Sequence, residues 1–281
     1  MSALLRLPWN ADPALLLLLA GLAGPYFWLA GGRWQARGGA YFAGLALFAL
    51  AELSPLHYLG THELFSAHMV GHIVVLLLSG PLLVLGLPPH LAPTPARLLG
   101  GFSGWLRGRT WLAWAAGVGI MWLLHVPAVF DAALASAHAG FSPLPALHAG
   151  AMLAAGALFS WPLFGPVPGY HLHPLTGVIY LVTACVGCSL LGLLITFAPA
   201  DTYQHYARAA WCGTPSLAPD YAANPWHLSL ADDQQVAGLL MWVPGCFIYL
   251  SGCLFLLARY FGAPDVVSAS AQTGHLTEPV R

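Results

Sequence analysis

The chain has 281 residues, 58% of them hydrophobic and only 7% charged, with a mean hydropathy of +0.72. A globular domain carries about 25% charged residues, so folding in water would expose far too much apolar surface, and an integral membrane protein is expected. All nine basic residues are arginine, the net charge is -1 and no run of like charge occurs, which excludes a nucleic-acid-binding surface or tail.

A bilayer core takes about 20 apolar residues per helix. Seven runs of that kind follow one another, at 14–30, 39–56, 64–87, 110–130, 144–163, 176–198 and 235–260. Lipid-exposed backbone must satisfy its own hydrogen bonds, and no strand-like alternation suggests a barrel, so the runs read as helices. The first run, after Arg6 and before Ala30-Gly31-Gly32, has some look of a signal peptide. It is long for that class, and Tyr26 and Trp28 suit an interfacial belt, so it is kept as a span. Proline falls within several runs (Pro25, Pro55, Pro81, Pro127, Pro162, Pro244) and predicts kinks or early helix ends there. Frequent glycine and alanine favour close helix packing in lipid and permit a homodimer. Residues 1–262 thus read as one membrane domain and residues 263–281 as a short disordered cytoplasmic tail.

Arginine sets the orientation. One side of a seven-span bundle holds Arg33, Arg37, Arg97, Arg107, Arg109, Arg259 and Arg281, and the other only Arg6 and Arg208. By the positive-inside rule the N-terminus lies outside and the C-terminus in the cytoplasm. The expectation is an all-α polytopic transmembrane helix bundle of seven spans in a bacterial inner membrane.

Histidine is then unevenly placed. His57, His62, His68, His72, His125, His138, His148, His205 and His227 are nine of the thirteen histidines, and all belong to the outer side. Only His90, His171, His173 and His275 fall on the cytoplasmic side. His68 and His72, at i and i+4, share one helix face, and His125 and His148 sit at matching depth on the next two spans. Ionisable groups inside a bilayer are costly and mark sites or pathways. Neutral imidazole is the commonest metal ligand. Met69, Met152 and Met241 lie in register and tilt the donor set toward copper over zinc. Asp232 and Asp233 are placed to hold a ligand imidazole from behind.

Other readings stand beside this one. His57, His62, His138, His205 and His227 read as interfacial polar residues. Haem would need histidines approaching from opposite faces, which a pair on one helix suits poorly. Glu52 would serve a proton relay, or simply pair with a histidine at the interface. The five cysteines, an odd number, make no disulfide framework. Cys185 and Cys188 fall mid-span, where buried cysteine packs as a small hydrophobe. His171 and His173 read as loop residues.

Five phrases in order carry a resemblance: ELSPL (Glu52 to Leu56), LFSAHMVGH (Leu64 to His72), PLLVLGLP (Pro81 to Pro88), WLLHVPAVFDAAL (Trp122 to Leu134) and DQQVAGLLMWVPG (Asp233 to Gly245). Over about residues 40 to 260 the chain resembles the CtaG family of cytochrome c oxidase assembly factors, the multi-span caa3 type. The resemblance implies a non-enzymatic assembly role, with copper, as Cu(I), handled for a haem–copper oxidase subunit and received from a periplasmic donor. It implies His68, His72, His125, His148 and Met241 as ligands, and Met69, Asp233, Gln234 and Trp242 in support. An acidic residue is expected beside His148, whose flank here is LPALHAGAM.

Overall fold

The computed structural model describes residues 8–137, 144–167, 169–207, 226 and 228–262. The expected tail, His138 and His227 lie outside these. The described residues are helical, with no strand among them.

Four helical stretches are long and apolar enough to cross a membrane unbroken: Phe65–Leu85, Leu144–Phe164, Pro174–Phe197 and Leu230–Phe261. Two more candidates are helix pairs, giving six if each pair is one span. In the first pair, α2 (Gly38–Leu53) meets α3 (Pro55–His62) with a 46° bend. In the second, α7 (Thr110–Leu124) meets α8 (Pro127–Ala137) with a 73° bend. Both breaks fall where proline forces extended backbone on the residue before it. Ser54 is extended and its Oγ accepts from Leu56 N, restarting the chain as α3. The first apolar run forms α1 (Pro13–Leu29), capped by Asp12 and begun by Pro13, where the missing amide costs nothing. At 17 residues it is shorter than the others.

Phe65–Leu85 is not a uniform helix. It runs as α4 (Phe65–Ile73), a π-helical segment Val74–Ser79, and α5 (Gly80–Leu85). The cause is Pro81, which donates no hydrogen bond and crowds the carbonyl four residues back. Just before it, Gly80 N donates to Val75 O, five residues back. One extra residue turns the face by about 100°, so the histidine face of α4 is out of phase with the apolar face of α5. Glycine lets this distorted stretch lie against α9 (Leu144–Phe164): a Cβ on Gly80 would stand 2.7 Å from the Gly156 carbonyl carbon. Gly60 plays the same part between α3 and α4, where a Cβ would meet the His68 backbone at 2.9 Å.

A helix that the apolar runs did not announce, α6 (Pro93–Arg107), bears Arg97 and Arg107 beside exposed Leu98 and Trp105. It is amphipathic and too short and polar to span, the pattern of an interfacial helix. The bundle closes with α10 (Pro174–Phe197) packed along α11 (Leu230–Phe261) through Gly192 and Gly238.

Candidate metal centre

Three interhelical ties place the histidine helix. Leu64, at the N-cap of α4, makes no side-chain cap, so the first amides of the helix need acceptors from elsewhere. Asp233 on α11 provides them: its carboxylate accepts from Phe65 N at 2.7 Å, from Ser66 N at 3.1 Å and from the Ser66 hydroxyl. A carboxylate at a helix N-terminus is also favoured by the helix dipole. The next residue, Gln234, donates from Nε2 to the carbonyls of Ile195, Ala198 and Pro199, gathering the loose end of α10. Above the site, Tyr203 donates to His125 O at 3.1 Å and Tyr206 to Gly60 O. Phe65, Phe130 and these two tyrosines stack into an aromatic cover.

Under that cover the imidazoles meet. One ligand atom each from His68, His72 and His148 all lie within 4.8 Å of one another. His72 Nε2 stands 3.3 Å from His148 Nε2. Nitrogens bound tetrahedrally at 2.0–2.1 Å to one ion stand about 3.4 Å apart, so this edge already has the required length. Among the described residues, His68 Nε2 is buried without a hydrogen-bond partner, a cost that protein interiors rarely bear without a function. That orphan lone pair is the strongest sign that the trio is shaped for a cation.

His125 stands behind the trio and sets its protonation. The Met121 carbonyl can only accept, so Nδ1 of His125, 2.6 Å away, carries hydrogen. In the neutral ring Nε2 is then a lone pair, and it lies 3.2 Å from both His72 Nδ1 and Met69 Sδ. His72 accordingly gives its Nδ1 hydrogen to His125 and turns its Nε2 lone pair toward His68 and His148. This carbonyl–imidazole–imidazole relay is how metal sites fix the tautomer of a ligand. His125 is held there because α7 ends at Leu124, leaving His125 as its C-cap, 2% exposed.

The trio opens into a cavity of about 70 Å³ whose lining includes Glu52, His57, His68, His72, His148 and Met152. Glu52 Oε2 is 3.2 Å from His57 Nδ1 at this cavity. Glu52, on α2, is the carboxylate that shares this cavity with His148. Met241 does not line this space. It lies in a smaller hollow beneath, with Met69, Met121 and Cys188. Trp242 packs its Cβ on Gly192 and Asp232 caps its own helix with Ser229, so neither reaches the imidazoles. His62 stacks on Tyr58, and His205 Nε2 contacts Thr61 O. Cys185 pairs with Cys246 at 3.5 Å, and Cys188 faces Met121. His171 is held by Gly165 O.

The resemblance implies His125 and His148 alike as ligands, whereas the geometry groups only His148 with the α4 pair. Sequence reasoning did not single out Met121, Phe130, Tyr203 or Tyr206. Met121 was legible as one turn before His125; the others become neighbours only through tertiary packing.

A sequence profile of the cytochrome c oxidase caa3 assembly factor family (Caa3_CtaG) matches residues 24–262. The chain belongs to this family. Comparison with curated proteins and with solved structures gave no match. The matched region contains every helix that builds the histidine cluster, so the family and the cluster are properties of the same segment. Membership points to an oxidase as partner and a lipid bilayer as setting.

Proposed function

We propose that this assembly factor captures copper on His68, His72 and His148 and passes it to a haem–copper oxidase subunit. The orphaned Nε2 of His68 beside two further converging imidazole nitrogens is the observation that carries the reading. Copper here is cargo. A trio of neutral imidazoles is an incomplete coordination shell, open on its cavity side, which suits an ion that must leave again. Glu52 and His57 at the cavity give an arriving cation a carboxylate before it meets the imidazoles. Chemistry on the copper is the oxidase's, so the chain acts as a carrier and not an enzyme.

The Nε2 atoms of His72 and His148, 3.3 Å apart, leave an ion-sized gap too narrow for a macrocycle to slip between them, which argues against haem. The proposed setting is a seven-span domain, residues 1–262, with α1 and both bent pairs counted as spans. Its histidine end then faces the periplasm and residues 263–281 the cytoplasm. A periplasmic donor would load the site from that side.

The test is copper analysis of the purified chain beside a His68→Ala/His72→Ala double variant. The variant should hold one copper fewer per chain; equal copper in both would refute the ligand assignment.

A further inference from the structure

Beneath the imidazoles lies a second group of soft donors. Its hollow, about 10 Å³, is lined by Met69, Met121, Cys188 and Met241, with His72 forming part of the wall it shares with the upper cavity. Met69 Sδ is 3.2 Å from His125 Nε2, and Cys188 Sγ is 3.9 Å from Met121 Sδ. Met69, Met121 and Met241 are all nearly or fully buried. The chain has five methionines, and three of them converge here from three different helices, α4, α7 and α11. Methionine as ordinary filler would scatter through the spans. Instead three of the five line one hollow beside the imidazole trio, together with Cys188.

We infer that Met69, Met121 and Met241 form a second site that receives Cu(I) from the imidazole trio. This deepens the copper reading above and rests on it. Thioethers and a thiol are soft donors that select Cu(I) over divalent ions. They are also neutral, so transfer from imidazole to thioether is a ligand exchange with no proton or electron moved. His72 lines both spaces, so the two sites are immediate neighbours. A single ion is all that the hollow can accommodate.

The test uses the full chain in lipid nanodiscs, loaded with Cu(I) and grown with selenomethionine. Selenium-edge absorption then reads copper from the methionine side without any substitution. The expected result is a direct Se–Cu scattering path in the native chain, persisting in a His68→Ala/His148→Ala variant and lost in Met121→Leu/Met241→Leu, whose leucines keep the side-chain volume. Copper at the copper edge with nitrogen neighbours alone, and no Se–Cu path, would overturn the sulfur site while leaving the imidazole site standing. Failure of the native chain to retain any Cu(I) would overturn both. If Met121→Leu/Met241→Leu kept the same Se–Cu path through Met69 alone, the three-sulfur assignment would be wrong.

Discussion

Asp233 provides a sharp test of how the site is held. It has no contact with an imidazole, yet three hydrogen bonds from α4 end on its carboxylate. Replacing it with alanine strands two buried amides, those of Phe65 and Ser66, one turn before His68. Hydrogen bonds to a charged group contribute about 1.5–3 kcal/mol each, and losses within one cluster do not add fully. A combined loss of about 3 kcal/mol for the first turn of α4 is expected, which at 1.4 kcal/mol per decade is about a hundredfold. Hydrogen exchange on the chain in nanodiscs reads it directly. The peptide covering 64–72 should exchange about a hundred times faster in Asp233→Ala, with Asp233→Asn intermediate because it keeps one acceptor. Peptides from α9 should be unchanged. Equal exchange of the α4 peptide in the native chain and Asp233→Ala would refute the capping role.

Three further outcomes follow from the same geometry. His125→Phe keeps a ring but removes the acceptor for His72 Nδ1, and copper affinity should fall about 10- to 100-fold, as for other residues that orient a ligand, by competition with a Cu(I) chelator. Gly156→Ala forces a methyl group into the Leu76 backbone and should cost about 1–3 kcal/mol, seen as a lower unfolding temperature in detergent, with Gly101→Ala, where nothing lies within 4 Å, as the neutral control. Reporters fused to the two ends should lie on opposite sides of the membrane if there are seven spans; reporters on one side would support six.

Much of the fold was legible because bilayer helices declare themselves by length and apolarity. The residues that break the helices were legible too: Pro55 and Pro127 sit where the 46° and 73° bends occur. The amphipathic α6 was not, since its arginines dilute the apolar signal on which span-finding depends. Nor was the π-helical segment, because Pro81 marks a disturbance without stating how the backbone absorbs it. At the site, the i, i+4 spacing of His68 and His72 announced a shared face, and their ring centroids are 4.3 Å apart. Depth alone placed His125 and His148 near them but carried no information on rotation about the helix axis. That rotation makes His148 part of the trio and sets His125 behind it. Asp233 was expected to hold a ligand imidazole and instead accepts from the first amides of α4, while Gln234 was picked out with no sign of its partners at the end of α10. Cys185 and Cys188 lie close together mid-span in the sequence, yet they face different neighbours in the packed bundle.

The claim that matters most is delivery, and it is read in the recipient. Copper and haem should be measured in the haem–copper oxidase purified from cells whose assembly factor is native or carries His68→Ala/His72→Ala. The oxidase from the variant cells should contain its haem and lack copper, with copper restored by the native chain. An oxidase fully loaded with copper in the variant cells would contradict a copper-carrying role for these histidines.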